Sequence, residues 1–157
     1  MTGSEPPDLD PDRWTVTVAG TVDEPLTLRP ADLSVLPSVR VETSTDCDGA
    51  PPVRRWSGVR VDTLLDRTSP HTDASHGLVH SADPEFACGF DLERLREAVL
   101  AVRVDGDPIP TERGGPVRLL PGEADCWERV KWVSRIDVLD EPPGDADTAR
   151  EQVPADG

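Results

Sequence analysis

The chain has 157 residues, with 31 Asp and Glu against 16 Lys and Arg, a formal net charge of -15 and a pI near 4.4. That length supports one domain with a modest core. A surface this acidic repels nucleic acid and anionic membrane, which removes both from the expected partners.

The acidity is spread along the chain, and Lys131 is the only lysine. Such a composition is similar to that of salt-adapted proteins, in which a Debye length of about 3 Å in molar salt screens self-repulsion. An acidic mesophile protein is the alternative. No apolar stretch approaches the ~20 residues of a membrane span. Residues 1–12 lack a basic segment, an apolar segment and a twin arginine, so the chain is expected to stay in the cytoplasm without direct membrane insertion. Cys47, Cys88 and Cys126 are widely spaced. An odd count without a Cys-x-x-Cys pair argues against a disulfide framework and a zinc knuckle.

Residues 1–12 and 141–157 read as disordered acidic tails around a domain at 13–140, because they offer almost nothing apolar to bury. Alternation of Trp14, Val16 and Val18 predicts a strand from Arg13 to Ala19, ending at Gly20. Leu26–Leu28 is a short second strand. Pro30 opens a short helix, and Val39–Thr43 is a strand followed by the loop that carries Cys47. Trp56-Ser57-Gly58 reads as a turn before a helix at Val59–Leu65. Gly77–Ser81 is a strand. A helix runs from Asp91, a good N-cap, with Leu92, Leu95 and Val99 on one face. Val102–Val104 is a strand ending in the Asp105-Gly106 turn. Val117–Leu120 and Val130–Leu139 are strands, the second strongly β-branched. Many short strands with few short helices predict a compact, mostly β, α+β domain.

Three segments carry possible chemistry. Cys47 follows a strand and enters a Gly/Pro loop, where functional side chains are often displayed. Its thiolate suits a soft metal; a small buried hydrophobe is the bland reading. Arg54 and Arg55 favour a thiolate there, while Asp46 and Asp48 oppose it. Gly114 and Gly115 are positioned to expose backbone N–H groups to a ligand, with Arg118 two residues after Pro116 to clamp a phosphate. A plain turn before an edge strand is the alternative. Lys131, between Val130 and Trp132, offers a compact ammonium suited to a phosphate or an oxyanion. His80 ends a strand and either faces a pocket or is a satisfied structural histidine; His71 and His76 read as solvated loop residues.

Taken in order, the segments form a pattern: Cys47, then Trp56-x-Gly58-Val59, then Gly114-x-Pro116-x-Arg118-Leu119, then Val130-Lys131-Trp132-Val133. This order resembles the molybdopterin-binding domain of the sulfite oxidase family, in its stand-alone prokaryotic form. Trp14 to Gly20, Leu26 to Pro37, and Val104 to Pro110 are similar to that domain as well, so the resemblance covers about Trp14 to Asp140. It implies a molybdenum held by a pterin dithiolene and by one cysteine thiolate, here Cys47. It places Arg118 and Lys131 at the cofactor, lined by the backbone of Gly114 and Gly115. Arg113 and His80 are further candidates at the cofactor, and Arg55 is the candidate at the substrate.

The chain also departs from that family. Arg113 stands where a histidine is common, and Asp48 to Pro52 replaces an arginine-rich stretch after the cysteine. Carboxylates beside Cys47 disfavour a dianion such as sulfite. The expected activity is therefore oxo transfer on a small S- or N-oxide, or the reverse oxidation, with a small-molecule oxo donor or acceptor and an external redox partner such as a cytochrome. A non-catalytic binding or cofactor-handling module is the alternative.

Overall fold

The computed structural model describes residues 13–43, 53–82, 86–121 and 130–142. In chain order its elements are β1 (Val16–Gly20), β2 (Leu26–Leu28), α1 (Pro30–Ser34), β3 (Val39–Thr43), β4 (Arg54–Arg60), α2 (Val61–Thr68), β5 (His76–Ser81), β6 (Ala87–Asp91), α3 (Leu92–Glu97), β7 (Val99–Val104), β8 (Asp107–Pro108), a 3-10 turn at Thr111–Arg113, β9 (Arg118–Leu120) and β10 (Val133–Leu139). The mostly β, α+β expectation holds. The tails expected at 1–12 and 141–157 lie outside the described residues, except for 141 and 142.

The described strands form two sheets. The first has the order β2-β1-β10-β5-β6; the second has β3-β4-β7-β8, with β9 also paired to β7. Period-two alternation sets which side chains meet. Val16, Val18, Val79 and Ile136 leave the first sheet on one face, and Val59, Leu100 and Leu119 leave the second. With Leu64 and Leu65 of α2 and Leu95 of α3 they form the main core, every one of these side chains fully buried. Burying one such side chain stabilises by about 1.5–3 kcal/mol. A smaller cluster covers the opposite face of the second sheet and holds Trp56, Val99, Ala101, Val104, Ile109 and Leu120.

Local reading succeeded where contacts are local and failed where they are distant. β2 and β3 match their expected bounds. Asp105 and Gly106 both take positive φ, 52° and 88°, as a two-residue hairpin turn requires. By contrast, Trp56-Ser57-Gly58 is the middle of β4, not a turn, and α2 begins only at Val61. β6 is not among the strands expected from the sequence. Both strands are fixed by partners far away in the chain: β4 by β7, and β6 by β5.

Asp91 does occupy the N-cap of α3, but its side chain makes no capping bond. Its carboxylate lies 3.3 Å from His76 Nε2 instead. His76 therefore opens β5 rather than sitting in a loop. Val99 belongs to β7 and not to the helix.

Candidate functional site

Two distant segments are stitched together by backbone hydrogen bonds. Leu119 N–H donates to the Val130 carbonyl at 2.9 Å, Trp132 N–H to the Gly114 carbonyl at 2.8 Å, and Val133 N–H to the Val117 carbonyl at 2.9 Å. They deliver Lys131 to the turn at Gly114. Lys131 is not on a strand, because β10 starts only at Val133. Trp132 has φ 53°, which turns the chain just where the β-branched run suggested a continuous strand. Val130 and Trp132 are nonetheless buried. The Trp132 indole N–H donates to the Thr111 carbonyl at 2.7 Å, and the Lys131 ammonium lies 5.9 Å from the centre of the Trp132 ring system.

Gly114 has φ 93°, and a Cβ there would sit 2.7 Å from Lys131 Cγ and 3.0 Å from Arg118 Cδ. Only glycine lets the stems of both cations close around this backbone. Gly115 has a different role: a Cβ there would run into Ile109, so this glycine serves packing. The sequence suggested that both glycines present N–H groups to a ligand. Instead Gly114 N–H donates to the Thr111 carbonyl at 3.0 Å and Gly115 N–H to the Pro110 carbonyl at 3.1 Å. Both donors are used in closing the turn.

Arg118 is 5% exposed. Its guanidinium lies 5.7 Å from the centre of the Trp56 ring system and donates to the Arg113 carbonyl at 3.1 Å. An aromatic face and a carbonyl thus help to hold a cation that burial would otherwise penalise. Lys131 loses protons more readily than an ordinary lysine, first because packed atoms weaken its hydration and then because Arg118 repels it. Its side chain still reaches solvent, and no carboxylate partners it among the described residues. An anion placed between the two cations would relieve that repulsion. The donor set of guanidinium and ammonium fits a phosphate group.

The other expected residues are placed elsewhere. Arg113 ends the 3-10 turn with its side chain exposed. Arg55 lies on the opposite face of β4 from Trp56 and Arg118, exposed, with Nε 3.5 Å from Glu42. His80 projects from the outer face of the first sheet, since its neighbour Val79 enters the core. His80 Nε2 lies 2.9 Å from Asp137 Oδ2, and Arg135 donates to Asp137 Oδ1 at 2.6 Å. Asp137 is held below the usual carboxylate range, chiefly by His80 and then by Arg135, against the opposing effect of burial. The structure does not bring Arg55 or His80 to the Gly114 turn. Cys47 and Cys126 lie outside the described residues. Cys88 is buried in the core.

Sequence reasoning missed two parts of this site. The Thr111 carbonyl, which anchors both Gly114 and Trp132, left no signal. Trp56 reads in sequence as part of a turn, and its place beneath Arg118 depends on β4 and β9 both flanking β7, which only the fold supplies.

A family model described as the oxidoreductase molybdopterin binding domain matches residues 3–146. Among characterised and uncharacterised proteins, the chain is 26% identical to the uncharacterized oxidoreductase YuiH of Bacillus subtilis, covering 89% of this chain and 72% of that protein. It is 28% identical to the protein-methionine-sulfoxide reductase catalytic subunit MsrP of Gluconobacter oxydans, covering 83% and 48%. It is 26% identical to human mitochondrial sulfite oxidase, covering 86% and 31%. The chain thus spans less than half the length of the last two. In fold it is similar to the sulfane dehydrogenase SoxCD of Paracoccus pantotrophus, with a TM-score of 0.78 and 20% identity over 92% of this chain and 42% of that one.

Proposed function

The chain belongs to the oxidoreductase molybdopterin binding domain family, and we propose that it is a molybdenum-dependent enzyme domain transferring oxygen to or from a small S- or N-oxide. One observation carries this reading: Arg118 and Lys131 converge on Gly114, a cationic focus in which no carboxylate partners Lys131 among the described residues. When bound, the cofactor supplies two-electron oxygen-transfer chemistry, and the protein supplies position and access.

Arg118 binds the terminal phosphate from the buried side and Lys131 from the solvent side. Arg113 reaches it from the exposed end of the turn. Gly114 lets the stems of Lys131 and Arg118 close around the turn, and Gly115 keeps the turn shut. Cys47 contributes the thiolate that fixes the metal, as a soft ligand for a soft centre. Arg55 orients the substrate. Nothing in the geometry supports adding His80 to the cofactor set, because Asp137 holds it on the outer face of the other sheet.

The domain works in the cytoplasm of a salt-adapted cell and exchanges electrons with an external redox protein. Among the described residues no helix is long and apolar enough to cross a membrane. The reductive direction is favoured by Asp46 and Asp48 beside Cys47, which repel a sulfite dianion. The same carboxylates favour one alternative, a module that carries the cofactor without turnover.

The test is an assay of the cofactor-loaded chain with reduced viologen against methionine sulfoxide, dimethyl sulfoxide and trimethylamine N-oxide, beside ferricyanide-linked sulfite oxidation. Oxide reduction is expected, falling at least 100-fold in Cys47→Ser. A loaded chain inactive in both directions would establish the non-catalytic module instead.

A further inference from the structure

This acidic chain has one face on which arginine outnumbers carboxylate. In the second sheet Arg40 of β3 stands opposite Ser57 of β4, and Ser57 stands opposite Arg103 of β7. Directly opposed residues in antiparallel strands project from the same face. With strands about 4.8 Å apart, two guanidinium groups flank one small hydroxyl side chain. One pleat further, Arg55 stands opposite Glu42 on that face. The same face supplies Val59 and Leu100 to the main core, so the arginines occupy its uncovered end. An irregularity in the β4–β7 register at Ser57/Gly58 aims Arg103 at this end, as bulges commonly re-aim a side chain.

The result is a concavity of about 590 Å³ whose lining includes Arg40, Glu42, Arg54, Arg55, Ser57 and Asp105; Arg103 does not line it but stands at its rim, opposite Ser57. Both of those carboxylates are engaged. Arg54 lies 3.2 Å from Asp105 and Arg55 lies 3.5 Å from Glu42. Arg40 and Arg103 have no carboxylate partner among the described residues; Arg103 makes only a long contact, 3.4 Å, with the Gly106 carbonyl.

We propose that this concavity is a binding site for a small oxyanion of the sulfate or phosphate type, with Arg40 and the Ser57 hydroxyl as donors in its wall and Arg103 reaching in from its rim. Guanidinium forks match the oxygen pairs of such anions. A small anion fits better than an acidic protein partner. A stable protein interface covers about 800 Å² per side, and a footprint that large would extend onto a surface with a net charge of -15. The site lies away from the Gly114 turn, because Arg118 projects from the other face of the sheet with Trp56; of the residues proposed for the reaction, Arg55 borders it, engaged by Glu42.

The test is calorimetric titration of the full chain with sodium sulfate, and separately with sodium phosphate, at ionic strength held constant with sodium chloride. Saturable binding of either anion is expected, distinct from any anion held at the Gly114 turn, weakened at least tenfold in Arg40→Gln and in Arg103→Gln and largely kept in Arg40→Lys. Arg67→Gln, an exposed change on α2, and Lys131→Met, at the cofactor turn, leave it unchanged. Circular dichroism and melting temperature confirm that each variant is folded. Absence of saturable binding in the parent would overturn the proposal. So would equal affinity in the parent, Arg40→Gln and Arg103→Gln. Loss of binding in Lys131→Met would place the anion at the Gly114 turn and overturn it equally.

Discussion

Arg118→Ala is expected to cut the molybdenum retained per purified chain at least tenfold. A charge-assisted hydrogen bond contributes about 1.5–3 kcal/mol, and tenfold in affinity is about 1.4 kcal/mol, so losing one such bond to a phosphate suffices. Arg118→Lys keeps the charge but loses the planar fork and its seat over Trp56, and should retain an intermediate amount.

Arg118→Ala also leaves a void beside Trp56, so it should lower the melting temperature of the cofactor-free chain. Lys131→Met separates the two effects. Lys131 is disfavoured in its charged form by burial and by Arg118, so its removal should leave the cofactor-free chain as stable or more so while metal retention falls. Metal analysis beside thermal melting of the empty chains checks both statements. Full metal retention in folded Arg118→Ala would remove this residue from the site.

Gly58→Ala is expected to be strongly damaging to the fold itself. A Cβ at position 58 would sit 2.6 Å from the Ala101 Cα and 2.7 Å from the Leu100 carbonyl carbon, both backbone atoms of β7. Neither can rotate away, so β4 and β7 must separate beside the register irregularity. The cost is about 3 kcal/mol, the upper end for overpacking a close contact, or roughly 10 °C in melting temperature for a domain of this size. Ser57→Ala, one residue earlier, should cost less than about 0.5 kcal/mol, because it removes only a half-buried hydroxyl. Denaturant melts of the two variants test the contrast; equal stabilities would mean that β4 and β7 are not held at this distance.

The sequence disclosed the cofactor turn more fully than the strands around it. Gly114, Arg118 and Lys131 could be named because glycine pairs and a solitary lysine mark chemistry independently of fold. What they do with their backbones could not be read. Both glycine N–H groups looked free for a ligand but close the turn onto Pro110 and Thr111. Lys131 looked like a strand residue because Val130, Trp132 and Val133 are apolar and bulky. The positive φ of Trp132 depends on tertiary bonds to Gly114 and Val117 that no local pattern encodes. β4 was missed for a related reason: Ser57-Gly58 has turn chemistry, and only the close passage of β7 explains the glycine. Arg55 was chosen for its proximity in sequence to Cys47, and alternation along β4, which no local pattern disclosed, places it on the face opposite Trp56.

The central claim is that Lys131 and Arg118 form the seat of the cofactor phosphate, and the single lysine allows a direct test. Amine acylation of the whole chain at mildly alkaline pH, followed by peptide mapping, reports on Lys131 alone once the N-terminal amine is mapped separately. The empty chain should react readily, since Lys131 reaches solvent and gives up its proton more easily than an ordinary lysine. Loading with cofactor should slow acylation of Lys131 at least tenfold while the N-terminal amine is unaffected. Equal acylation rates in empty chain and in chain carrying stoichiometric molybdenum would show that the cofactor is held elsewhere.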